Sequence, residues 1–366
     1  MRTLILTLGS RGDLEYFLLL ARTLRDRGHT VHVITSHFHA HRVAGCGIEC
    51  TPVSAVSAQG LEAILASLVS EPDLRIRTRK YVEQFLRPEL DAARPALATL
   101  GVTSDYFVNN VKIALSRQGS VVPAAFVTYD PPAALDELDL YTAKLPRERI
   151  LELAAFPQLL IDPHGRWPSR FVFTGFWLAP DDATALSAEV ERFLCAGSPP
   201  VVLTMGSMRM FDAGRLANTF ADALLKLGMR GVFVTPSQQT EVSGFVLYVA
   251  EIPYRRLFPR ASAVIHHGGV GTTAEVMRAG KPSIVLPQIL AQKHMADLLT
   301  TANVCAGSFN PVEVSVSELS TAIAEAVNNS RFILAAEGFR KTIGEDSGVL
   351  SAASEIERHW RTITAV

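Results

Sequence analysis

The chain has 366 residues, 48% hydrophobic and 19% charged, with a formal net charge of −1. That length and apolar content suit two domains of ordinary size, each with a large core. A near-zero charge with no basic stripe in either half speaks against nucleic acid as a partner.

Thr3–Leu8 is a continuous apolar run, as a strand buried on both faces of a parallel sheet requires. It is short and runs at once into Ser10-Arg11-Gly12-Asp13, so it reads as a first strand and not a signal peptide. Leu14–Arg27 has helical spacing closed by Gly28, and Thr30–Thr35 is a second strand. This βαβ opening predicts a doubly wound sheet with right-handed crossovers. Residues 60–120 read as mostly helical, with Leu61–Val69 and Ile76–Leu100 on the 3.6 period; Val121–Tyr129 and Arg170–Thr174 read as later strands. Composition shifts between Gly175 and Pro200, where Leu178-Ala179-Pro180-Asp181-Asp182 is turn-rich. A second βα series follows, with strands at Val201–Met205, Gly231–Thr235, Leu247–Val249, Ala263–His266 and Ser283–Leu286. Its helices are expected at Gly214–Leu227, Thr272–Ala279, Val316–Asn328 and Arg331–Ile343, with a terminal helix at Val349–Ile363. The division is therefore 1–178, a linker region 179–196, 197–344, and a terminal helix 345–366. No run reaches the 18 apolar residues that a membrane span needs.

The stretch from Ala263 to Glu275 carries the most chemistry. A strand runs into His266-His267-Gly268-Gly269-Val270-Gly271-Thr272-Thr273, and the turn opens a helix. Glycines let the main chain approach an anion, and the unpaired N–H groups and dipole of the helix start favour negative charge. His266, His267, Thr272 and Thr273 add side-chain donors, and Glu275 lies within reach of sugar hydroxyls beside a phosphate. The combination reads as a nucleotide-diphosphate site.

Three segments together resemble the inverting GT-B glycosyltransferases of bacterial natural-product pathways, related to UDP-glycosyltransferases. They are Gly9–Glu15, Thr204-Met205-Gly206-Ser207-Met208, and Leu257-Phe258-Pro259 with His266–Glu275 and Gly280-Lys281-Pro282 through Leu286-Pro287 to Gln292. The resemblance implies an α/β fold of two Rossmann-like doubly wound domains facing across a cleft, the first binding an acceptor and the second a UDP- or dTDP-linked sugar. It implies that His267, Gly269, Gly271 and Thr272 meet the diphosphate, that Ser207 caps it, and that Glu275 takes the ribose. Ile252 and Pro253 would meet the base through their backbone, and Gln292 would meet the donor. No metal or other cofactor is implied, main-chain donors and a histidine serving the departing diphosphate. Asp13 is the expected general base, taking the proton of an acceptor hydroxyl; the plain alternative is an N-cap for a helix starting at Leu14. The acceptor is expected to be an apolar small molecule and the compartment the cytoplasm. A glycolipid or cell-envelope acceptor, or a non-catalytic partner protein that keeps the nucleotide fold, are the rival readings.

Two positions depart from the family pattern. Relatives usually carry Asp-Gln where this chain has Ala291-Gln292, so a hydroxyl of a plain hexose would lose a partner and a deoxy or amino sugar is favoured. Tyr16 replaces the usual proline of the first segment. Other signals have plain readings. His37, His39 and His41 suggest a metal cluster only if extended. Cys46, Cys50, Cys195 and Cys305 are too few and scattered for a disulfide framework, which suits a reducing compartment. Arg75, Arg77, Arg79 and Lys80 read as a solvated helix face, and as an anion clamp in the sharper view. Trp167, Trp177 and Trp360 read as packing residues.

Overall fold

A computed structural model describes residues 1–117, 120–128, 147–161, 171–180, 184–235, 240–343 and 348–365. Trp167 and the turn at 181–183 lie outside the described residues. The chain forms two compact units: Met1–Ile64, Arg79–Ala179 and Ser347–Val366 make the first, and Leu65–Thr78 with Pro180–Asp346 make the second. Residues 65–78, assigned from sequence to the first domain, thus pack with the second.

Among the described residues, the main sheet of the first unit has seven parallel strands, β1 (Arg2–Thr7), β2 (Thr30–Ser36), β3 (Glu49–Val53), β4 (Tyr106–Asn109), β5 (Ala124–Thr128), β6 (Ile150–Ala154) and β7 (Phe171–Phe173). Their spatial order is β3-β2-β1-β4-β5-β6-β7. The order reverses between β1 and β4, so the loop after β1 opens at the switch point where α/β sheets bind ligands. The core under this sheet joins Leu4, Leu6, Ile34 and Phe107 to Leu90 and Leu97.

Helix α1 (Arg11–Asp26) follows β1. It starts three residues earlier than its apolar period suggests because Ser10 is the N-cap. The expected helix Ile76–Leu100 is three pieces: α2 (Leu74–Tyr81), a π-helical turn at Val82–Leu86, and α3 (Arg87–Gly101). The backbone stays helical through both junctions, with Tyr81, Leu86 and Arg87 all in the right-handed region, and the π-helical turn lies just before Pro88, whose ring and missing N–H disturb the α-helical pattern.

The second unit's sheet has order β10-β11-β9-β8-β12-β13-β14, from β8 (Val201–Thr204), β9 (Gly231–Val234), β10 (Glu241–Ser243), β11 (Val246–Val249), β12 (Ala263–His266), β13 (Ser283–Val285) and β14 (Cys305–Ser308). All pairs are parallel except the exposed edge strand β10. β8 and β12 are wholly buried and adjacent, and the order reverses between them. Val201, Leu203, Phe220, Phe233, Ile265 and Ile284 form the heart of its core. Among its helices are α4 (Ala213–Leu227), α5 (Val270–Ala279), α6 (Leu290–Thr301), α7 (Val316–Asn328) and α8 (Ser330–Ile343).

The terminal helix α9 (Gly348–Thr364) belongs to the first unit. Its first amide donates to Phe176 O at 2.9 Å. Glu357 accepts from Arg27 at 3.3 Å and pairs with His29 at 2.8 Å. Among the described residues no helix is long and apolar enough to cross a membrane.

Candidate active site

In the second unit, the loops after β8 and β12 flank the switch point. Gly269 is the N-cap of α5 and offers no side chain, so the first amides of the helix rely on other acceptors. Gly271 and Thr272 lie in that first turn, with Thr272 buried. Two glycines make room for His267. A Cβ on Gly206 (φ +68°) would lie 2.6 Å from His267 Cε1, and one on Gly269 would lie 2.3 Å from Nε2. Burial lowers the His267 imidazole to about 4, so the ring is neutral at pH 7. Its Nδ1 is buried without a partner among the described residues.

His266 differs from the expectation of a second side-chain donor. It is fully buried, and its Nδ1 accepts the Gly268 N–H at 3.2 Å, which places the proton of the neutral ring on Nε2. Burial, with its neighbour His267, lowers it to about 3. Thr273 is likewise fully buried. These two side chains build the turn and do not face solvent.

Glu275 is partly buried one turn into α5 and pairs with Arg278. Ser207 is exposed next to Gly206. Ile252 is buried, and Pro253 is the N-cap of the short helix Tyr254–Leu257. Tyr254, which sequence reasoning missed, hydrogen-bonds Thr204 Oγ1 at 2.6 Å and stacks on Phe258 at 4.5 Å. It ties the Ile252–Pro253 segment to the end of β8. Gln292 is buried, and its Oε1 accepts from Gln288 N at 2.7 Å. Gln288 in turn accepts from Met210 N at 2.8 Å and donates to Met205 O at 3.0 Å. One glutamine therefore bridges the loop after β13 to the loop after β8.

In the first unit, Asp13 lies just beyond the carboxyl end of β1. It is the N3 residue of α1 and not the N-cap. Its Oδ2 accepts from Ser10 N and Ser10 Oγ, each at 2.8 Å. A Cβ on Gly9 (φ +120°) would fall 2.7 Å from that oxygen, so only glycine fits there. Burial raises the Asp13 carboxyl above the ordinary value, although the Ser10 hydrogen bonds oppose the shift. His39 Nε2 donates to Gly9 O at 3.3 Å, and burial lowers its ring to about 4. Tyr81 is buried and pushed well upward by burial and by the Asp13 charge.

His37–His39 form a 3-10 turn and His41 lies on the next helix; among the described residues no three such side chains gather to hold a metal ion. Glu15 pairs with Arg42 at 3.2 Å. Tyr16 is buried and stacks on Trp177 at 5.7 Å, which accounts for an aromatic ring at this position. The basic run is not a uniform solvated face: Arg77 is fully buried, while Arg75 and Arg79 are exposed. Its partners are a backbone carbonyl far along the chain and one nearby, which no local pattern reveals.

Residues 234–346 match the family described as erythromycin biosynthesis protein CIII-like, C-terminal domain. Over 352 residues the chain is 30% identical to glycosyltransferase GtfE of Amycolatopsis orientalis, covering 81% of this chain and 83% of that protein. It belongs to the natural-product glycosyltransferases. Vancomycin aglycone glucosyltransferase of the same organism is 29% identical over 89% of this chain and 90% of its own. Among solved structures, the glycotransferase of kitacinnamycin superposes with a TM-score of 0.69 at 19% identity, covering 98% of each chain. The glycosyltransferase's two Rossmann-like units are those of the GT-B fold.

Proposed function

We propose that this glycosyltransferase moves a sugar from a UDP- or dTDP-linked donor to a hydroxyl of an apolar small molecule, with inversion at the anomeric carbon and without a metal ion. The observation that carries the reading is the neutral His267 ring set between Gly206 and Gly269 at the start of α5. A diphosphate seated on those amides meets N–H donors, a helix dipole and an imidazole. The neutral ring can donate an N–H to the diphosphate as charge grows on the leaving group, with no proton transferred. Ser207, Gly271 and Thr272 line the same turn region, Glu275 is aligned by Arg278 for the ribose, and the Ile252–Pro253 backbone suits the base.

Asp13 is the base of the reaction. As the acceptor oxygen bonds to the anomeric carbon, its proton passes to the Asp13 carboxylate and the bond to the diphosphate oxygen breaks. Attack opposite the leaving group reverses the anomeric configuration. Ser10 holds one Asp13 oxygen by two hydrogen bonds, which fixes the carboxylate, while burial keeps it basic enough to take the proton. Ala291 supports a donor with one hydroxyl fewer than glucose, or with an amine. The test is calorimetric titration of UDP and dTDP into the protein, with Glu275→Ala as control. Micromolar binding weakened in the variant is expected. Binding of neither nucleotide overturns the reading and favours a non-catalytic partner protein.

A further inference from the structure

The segment Leu65–Thr78 packs within the second unit and reaches the loop after β13. Arg77 Nη1 donates to Gln288 O at 3.3 Å, while its Nε donates to Glu71 O at 2.8 Å. Thr78 Oγ1 accepts the Leu290 N–H at 2.8 Å and donates to Leu74 O at 2.6 Å. Leu290 is the first residue of α6, so its amide has no partner inside the helix. Its N-cap, Ile289, makes no side-chain cap. Thr78 supplies that cap from a position 212 residues away. Asn310, after β14, donates to Pro72 O at 3.1 Å and extends the attachment.

Loop 288–292, which runs into the first turn of α6, is thus held from two sides, by Gln288 towards β8 and by Arg77 and Thr78 from α2. The loop bears Ala291, which has no hydrogen-bonding side chain, and Gln292, whose Oε1 is engaged by Gln288 N. Selection of a sugar by this loop falls on where its backbone and the Gln292 side chain are placed.

We propose that Thr78 and Arg77 are positioning residues for the sugar part of the donor. They set the backbone of loop 288–292 without touching substrate. This rests on the reading of that loop as the sugar end of the nucleotide-sugar site. A residue that held the fold in general would weaken nucleotide and nucleotide-sugar binding alike. A residue that holds this loop affects only the sugar's share.

The experiment compares wild type, Thr78→Val, Thr78→Ser and Arg77→Lys by calorimetry with UDP, dTDP, UDP-glucose, dTDP-glucose and dTDP-rhamnose. The readout is the ratio of the Kd of each nucleotide to that of its sugar conjugate. Thr78→Val is expected to leave nucleotide Kd within twofold and to shift the ratio fivefold or more. Thr78→Ser is expected to restore it, and Arg77→Lys to shift it in the same direction as Thr78→Val. Amide hydrogen exchange at 288–292 is expected to accelerate at least tenfold in Thr78→Val, with the turn at 266–273 unchanged. Should Thr78→Val fail to fold, Arg77→Lys carries the comparison. Wild-type ratios retained in both variants, equal weakening of nucleotide and conjugate, or a wild-type ratio of one across the panel each overturn the inference alone. Wild type binding no nucleotide overturns the proposed function as well.

Discussion

Asp13, the proposed base, also has a place in the fold. Its carboxylate reaches back to the Ser10 amide, closing the start of α1, and burial keeps its proton affinity above the ordinary 3.8. A carboxyl that binds its proton more tightly folded than unfolded stabilises the fold only while protonated. That contribution is complete below the unfolded value and is lost as pH rises through the folded one. At pH 7 the ionised group therefore costs stability. Asp13→Asn is expected to melt no lower than wild type at pH 7 while turnover drops by about 10²–10⁴, the usual worth of a general base. Near-wild-type turnover would remove Asp13 from the mechanism. The acidic limb of the wild-type rate profile is expected above the usual aspartate range. Gly206 makes a second residue-scale test. Alanine there must displace His267 and adopt a positive φ, so Gly206→Ala is expected to weaken UDP or dTDP binding tenfold or more and to lower the melting temperature.

Among the elements, α9 depends on one close approach. A Cβ on Gly348 would lie 2.3 Å from Thr174 O and 2.5 Å from Gly175 O. Gly348→Ala is expected to cost about 1–3 kcal/mol through overpacking, read as a lower urea midpoint. An unchanged midpoint would mean that the helix start shifts freely. Most strands are legible from sequence, clearest at β1, β8 and β12, whose residues are almost all buried, and also at the less buried β2 and β7. β3 was missed because it is an edge strand with Pro52 in it and a mixed pattern. β4 (Tyr106–Asn109) falls within the stretch 60–120 that the sequence reads as mostly helical, four residues after the end of α3. The turn at His266–Thr273 was legible because its parts are contiguous, and its division into a presented His267 and a structural His266 was not. Side-chain direction, not residue type, separates them. Arg77 was read as exposed since its charge says so locally, whereas Gln288 O is distant in sequence.

At the scale of the whole molecule, sequence order and structural membership disagree in two places. Residues 65–78 lie inside the first half of the chain and pack with the second unit, and residues 347–366 follow the second unit and pack with the first. A fragment ending at Ala179 carries a segment without its partner and lacks a helix that its own unit needs. It is expected to show no cooperative unfolding transition, and joining residues 347–366 to it through a flexible linker is expected to restore one. A sharp transition in the bare fragment would show that α9 is dispensable. In the intact protein, nucleotide at a hundredfold excess over its Kd should add about 2.7 kcal/mol of stability to the state that binds it.

The displaced segment at 65–78 also bears on hybrids between relatives. A recombinant that takes its first half from one parent and its second from another imports a foreign Arg77–Thr78 against a native loop 288–292. Such a chimera can inherit every donor-contacting residue of the second parent and still choose its sugar badly. Parents should therefore be crossed at four junctions, with residues 65–78 travelling with the second unit and residues 347–366 with the first.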